Sequence, residues 1–146
     1  MKDNKGFTLV ELLAILLIIA VISVITVPII LDTIEESTAA AAQDSAYGYR
    51  DSVNKVCSEL LFDGGIPGAV DGIYTINSQG NIVKGQQKPI VVKASGKKPN
   101  GGSVLIRSDA IKNACFQFSD HIVLITDGEI GEATRGNCSD YDVSNL

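Results

Sequence analysis

A carboxylate stands where an apolar segment has no use for one. Glu11 falls between Phe7-Thr8-Leu9-Val10 and Leu12, and from Leu12 to Leu31 the sequence runs LLAILLIIAVISVITVPIIL, twenty residues without a charge. An acidic group at the centre of a membrane helix costs about 2.5–3.5 kcal/mol on insertion scales, less towards the end of a span. It therefore pairs with something or snorkels to the interface. No basic side chain lies between Lys5 and Arg50 to pair with it. The expectation is a partner from outside the chain, or an interfacial position for the carboxylate.

The remaining reactive side chains are sparse. His121, the only histidine, opens an apolar run with no cluster of metal ligands around it and reads as structural. Gly64-Gly65 follows a helical pattern, whereas a phosphate-binding loop needs its glycines ahead of a helix. Glu35-Glu36 reads as a solvated face, and Lys97-Lys98 as a basic turn that either touches a polyanion such as DNA or only solubilises the loop. Cys57, Cys115 and Cys138 all follow the apolar run; outside the cytoplasm one pair can bond and one thiol is left over. Their spacing does not choose the pair. No catalytic constellation emerges, so an enzyme is not expected, and no cofactor or metal is implied.

The elements that must position these groups begin with the span itself. Twenty residues at about 1.5 Å each make a helix of roughly 30 Å, the thickness of a bilayer's hydrocarbon core. That is too long for a cleaved secretory signal, and no A-x-A site precedes Asp32; no cysteine near the start allows a lipoprotein signal. Lys2 and Lys5 precede the span, while Asp32, Glu35 and Glu36 follow it, so the N-terminus is expected inside and the bulk of the chain outside. A plain signal anchor satisfies all of this except Glu11.

The chain has 146 residues, enough for one domain, and a net charge of −5. Without Met1–Gly6 it keeps 10 basic and 16 acidic residues, a net of −6, which argues against a dedicated nucleic-acid binder.

The stretch Lys5-Gly6-Phe7-Thr8-Leu9-Val10-Glu11-Leu12-Leu13 resembles the prepilin leader-peptidase site of type IV pilins and type II secretion pseudopilins. The resemblance joins a short basic leader ending in Gly6, then Phe7, Thr8-Leu9-Val10, Glu11 and a long apolar run. It covers about the first thirty residues closely and the remainder in general plan. It implies cleavage between Gly6 and Phe7, N-methylation of the new Phe7 amine, and pairing of Glu11 with the terminal amine of a neighbouring subunit. An amine and a carboxylate buried among apolar helices are each costly alone and tolerable together, so such a pair specifies stagger more than it adds stability. Gly6, small and flexible, suits a protease approaching the backbone. Pro28 is similar to the family's helix-loosening proline, although Ala20 stands where many members have a glycine. A bend or local melting is expected around Val24–Pro28, with Ser23 and Thr26 hydroxyls available to freed backbone groups. The resemblance also implies a disulfide between Cys115 and Cys138, as in the closed C-terminal loop of many pilins; Cys57 with Cys115 is the other pairing considered.

Beyond the span, Ala42, Ala46, Tyr49, Val53, Val56 and Leu60 recur at helical spacing, with Asp44, Asp51, Asn54 and Lys55 opposite and Arg50 on the flank. One helix is expected from about Phe7 to Phe62, stopped by Asp63-Gly64-Gly65, with Gly64 as the left-handed cap. Short β-branched runs follow at 73–76, 81–83, 90–93, 104–107, 114–118 and 121–125, separated by Ser78-Gln79-Gly80, Lys97–Gly102, Ser119-Asp120 and Asp127-Gly128. The expected fold is α+β: a long N-terminal helix, membrane-embedded then amphipathic, packed on a small antiparallel meander in the general plan of pilins.

The organisation expected is a leader at 1–6, an assembly half of the helix at 7–31, an amphipathic half at 32–62 and a β-rich head at 63–146. The functional expectation is a filament subunit, anchored with its head outside and then carried in a cell-surface filament. Its partners would be a prepilin peptidase and methyltransferase, other copies or related subunits, and membrane lipid before assembly, with nucleic acid only indirectly. The alternative is a signal-anchored surface domain that never polymerises.

Overall fold

The computed structural model describes residues 6–62 and 70–146. Lys2 and Lys5 of the leader and the Asp63-Gly64-Gly65 stop lie outside the described residues. The chain divides into two compact units, Met1–Ser37 and Thr38–Leu146.

The helix, α1, spans Leu9–Phe62 and supplies both units. Within the first unit it contains an 18-residue window of mean hydropathy 3.1, none of it buried. Every large side chain from Leu9 to Leu31 is exposed. A helix that is apolar all round is a membrane or packed-interior helix, not a free surface one. The local melting expected at Val24–Pro28 is absent from the single chain, since α1 is continuous through Pro28. Pro28 has no N–H for the Val24 carbonyl. Ser23 and Thr26 do not serve that carbonyl: their hydroxyls donate to Ile19 (2.8 Å) and Ile22 (2.9 Å), each one turn back.

In the second unit the rest of α1 lies on a six-stranded antiparallel sheet. The strands are β1 Gly72–Ile76, β2 Ile82–Val83, β3 Gly101–Arg107, β4 Ala110–Phe118, β5 His121–Thr126 and β6 Glu129–Arg135, in the order β2-β1-β3-β4-β5-β6. From β3 onward this is a meander. Because β1 pairs with both β2 and β3, the connection after β2 must pass β1 to reach β3. That passage explains one departure from expectation. Ile90–Lys93 is not a strand: Ile90 makes a single bridge to Ile82, and Pro89 before it has no N–H to extend a ladder. The segment is pinned instead by fully buried Val92, whose N–H meets the Asn81 side chain at 3.3 Å. β6 went unforeseen, being an edge strand with two glutamates and an internal glycine and nothing fully buried.

Strand alternation builds two cores. Val104 and Ile106, Ala114, Phe116 and Phe118, and Val123 and Ile125 face α1, where Ala42, Ala46, Tyr49, Val53 and Cys57 are buried. Tyr49 stacks edge-on to Phe116 at 5.0 Å and its hydroxyl donates to the Gly80 carbonyl. The stripe thus ends on Cys57, not on Val56 and Leu60; a step of four after Val53 keeps the 3.6-residue period on the sheet, and Leu60 is left exposed. Asn54 leaves the expected solvent face to accept the Ile111 N–H at 2.9 Å. At Gly48, the helix is approached by the Ser95 carbonyl, 3.1 Å from where a Cβ would sit.

The opposite sheet face carries Leu105, Cys115 and Ile122, covered by Cys138 and Val143. Asn113 holds this C-terminal cover by donating to the Val143 and Leu146 carbonyls, and Gln117 accepts the Cys138 N–H.

Candidate processing and assembly site

The N-terminal site is built from the start of α1 outward. The first four N–H groups of a helix have no partner inside it. Here Thr8 is the cap: its carbonyl accepts the Leu12 N–H at 3.2 Å, and its hydroxyl accepts the Glu11 N–H at 3.2 Å. Glu11 reciprocates. Its Oε2 accepts the Thr8 N–H at 2.9 Å and the Thr8 hydroxyl at 2.8 Å. This is a capping box, the T-x-x-E spacing of Thr8-Leu9-Val10-Glu11.

The box adds to the expectation of an outside partner or an interfacial position for Glu11: its carboxylate is also hydrogen-bonded within the chain. The partner is neutral and three residues away, so a charge pattern does not show it, although the T-x-x-E spacing does. Both bonds fall on Oε2; among the described residues, Oε1 accepts none. The carboxylate is held in place and half used.

Gly6 and Phe7 lie ahead of the cap, outside the helix, and both are exposed. Among the described residues, no atom comes within 4 Å of the position a Cβ would take on Gly6. The Gly6–Phe7 peptide is therefore free of helical hydrogen bonds and open to an approaching protease. In this uncleaved chain the Phe7 nitrogen is a peptide nitrogen; hydrolysis would turn it into an amine one turn from Glu11.

Elsewhere the candidate residues are structural. Cys115 and Cys138 form a disulfide with a Cα–Cα distance of 5.6 Å, which fastens the C-terminal cover to β4. Cys57 is a free, buried thiol. Burial first, then the nearby Asp109 and Asp71 carboxylates, push it up to about 11. His121 is buried, with Nδ1 3.0 Å from Asp120 Oδ1. The Asp120 carboxyl is held below its ordinary range by its own backbone N–H and then by the His121 ring. His121 borders a cleft of about 200 Å³ with Ser45, Lys97 and Phe118. Among the described residues, no group of three His, Cys, Asp or Glu side chains is placed to hold a metal ion.

Residues 1–27 match the family described as the prokaryotic N-terminal methylation motif. The match spans the leader, Gly6, Phe7, the capping box and most of the apolar run. It points to the type IV pilin and pseudopilin class, and with it to processing by a prepilin peptidase. No curated protein and no solved structure matches the chain.

Proposed function

We propose that the chain is a structural subunit of a type IV pilus or pseudopilus. It is inserted with its N-terminus in the cytoplasm, cleaved after Gly6, N-methylated on Phe7 and polymerised through the N-terminal half of α1. The observation that carries this reading is the coincidence, at one helix start, of the methylation motif with an unbroken apolar helical run, Leu9 to Leu31, whose side chains are all exposed. Such a surface needs lipid before assembly and other apolar helices after it. The half-used Glu11 carboxylate, one turn from the future amine, suits a pair formed with a neighbouring subunit. The role is mechanical, with no catalysis of its own.

Mass spectrometry of the mature N-terminus tests this. A methylated phenylalanine at position 7 is expected. An intact Met1, or a new terminus after Leu31, would place the chain among plain anchors and signal-bearing surface domains instead.

A further inference from the structure

Charge is segregated along this chain more sharply than its net value suggests. From Lys84 to Arg107 there are six basic residues, Lys84, Lys88, Lys93, Lys97, Lys98 and Arg107, and no acid. From Asp32 to Tyr49 there are four acids, Asp32, Glu35, Glu36 and Asp44, and no base. The first set occupies the β2–β3 connection and β3. The second lies on α1.

The basic set has no use inside the chain for most of its charge. Among the described residues none of the six has an ion-pair partner. Lys84 is spent on the Asp71 carbonyl (2.6 Å) and the Tyr74 ring, and Lys97 lies 3.4 Å from the Ser119 hydroxyl. Lys88 and Lys93 are exposed on a segment that is itself fixed by the Ile82–Ile90 bridge and buried Val92. Lys93 lines a groove of about 430 Å³ together with Lys55, Val56, Glu59, Leu60, Ile90 and Val91. Leu60 and Val91 are 39% and 59% exposed, so the groove offers apolar surface between two lysines and one glutamate.

We infer that this groove and its lysines dock the acidic stretch of α1, around Glu36 and Asp44, of a second copy of the chain. Both halves of the contact are written in one sequence, as a head-to-tail contact between identical subunits requires two different, complementary patches. Complementary charge of this kind fixes register and speeds encounter more than it adds raw affinity. The inference rests on the filament reading for its context.

The test uses the full chain in the membranes of cells that produce it. A carbodiimide joins a lysine amine to a carboxylate in contact, and a cross-linked dimer is read by immunoblot and peptide mapping. The wild-type dimer is expected to link Lys88 or Lys93 to Glu36 or Asp44. Lys88→Glu with Lys93→Glu should lower the dimer about tenfold, and adding Glu36→Lys with Asp44→Lys should restore it. Equal membrane levels and an intact Cys115–Cys138 bond control for folding. A wild-type dimer that is absent, or indifferent to the reversal, overturns the inference. So does a loss that the acid reversal does not rescue, which would assign the lysines to another polyanion. A rescued dimer without filaments would leave the contact standing and remove the filament reading.

Discussion

Thr8 and Glu11 satisfy each other: the threonine hydroxyl accepts the glutamate N–H at 3.2 Å, and the glutamate Oε2 takes the threonine N–H and hydroxyl at 2.9 and 2.8 Å. The box gives the carboxylate a neutral partner at the edge of an apolar helix. It also fixes where α1 begins, two residues past the Gly6–Phe7 peptide proposed for cleavage. One motif thus keeps the proposed cleavage site out of the helix and orients the group proposed for assembly.

The two residues should separate by mutation. Thr8→Val keeps the shape but removes both hydroxyl contacts, and loss of such a cap costs about 0.5–2 kcal/mol of helix-end stability. Faster amide exchange is expected from Leu9 to Leu12, with filaments retained. Glu11→Ala should insert into the membrane at the wild-type level yet yield few filaments in a sheared fraction. Normal filaments from Glu11→Ala would remove Glu11 from the assembly mechanism; equal failure of Thr8→Val would make the cap itself the assembly group.

The β3–β4 turn offers a stability test in the head. Ser108 and Asp109 both adopt left-handed backbone, at φ 54° and 62°, and their N–H groups donate to the two Asp71 carboxylate oxygens at 3.1 and 3.2 Å. Ser108→Gly keeps the backbone donor, so it should relieve the left-handed strain at that position and stabilise the head by about 0.5–1 kcal/mol. Asp71→Ala should destabilise it by about 1–2 kcal/mol by releasing both donors. Denaturant melts of the full chain in detergent would show the two shifts in opposite directions.

The long helix and its buried stripe were legible because apolar periodicity reports burial directly: Ala42, Ala46, Tyr49 and Val53 are all on the sheet. The strands from β3 to β5 were legible for the same reason. β6 was not, since an exposed edge strand shows no burial pattern to read. The Ile90–Lys93 run looked like a strand because its valines are apolar, but Val92 is buried by a crossing connection. At the N-terminal site the charges are legible and the cap is not. A hydrogen bond between neighbours three residues apart leaves no trace in hydropathy.

The Cys57 thiol should behave as a pH probe of the head. Its ordinary value of 9.0 is raised to about 11 in the fold, so the folded state prefers the protonated form. Its contribution to stability is whole below about pH 9 and is lost progressively as pH rises from 9 towards 11. Native protein should resist alkylation at pH 8 and yield one reactive thiol once unfolded without reductant. Rapid labelling of the native chain would show that Cys57 is open to solvent.

Gly102 makes the most demanding prediction. It is the second residue of β3, opposite Phe116, with φ at 120°, and a Cβ there would run into the Cys115 carbonyl and lie 3.5 Å from Cys138 Sγ. No side-chain rotation can relieve this, since the obstructing atom is strand backbone. The glycine therefore lets β3 pass β4 at the point where the disulfide fastens the C-terminal cover. Gly102→Ala should cost about 3 kcal/mol, combining left-handed strain with a displaced strand. Gly85→Ala supplies the comparison: its φ is 59° but nothing lies within 4 Å, so only the strain remains, about 1 kcal/mol. Melting both variants in oxidised form should show the larger loss at position 102, together with a slower return of the Cys115–Cys138 bond after reduction. Equal losses at the two positions would mean that β3 can shift away from β4, and that the close approach is not what requires glycine.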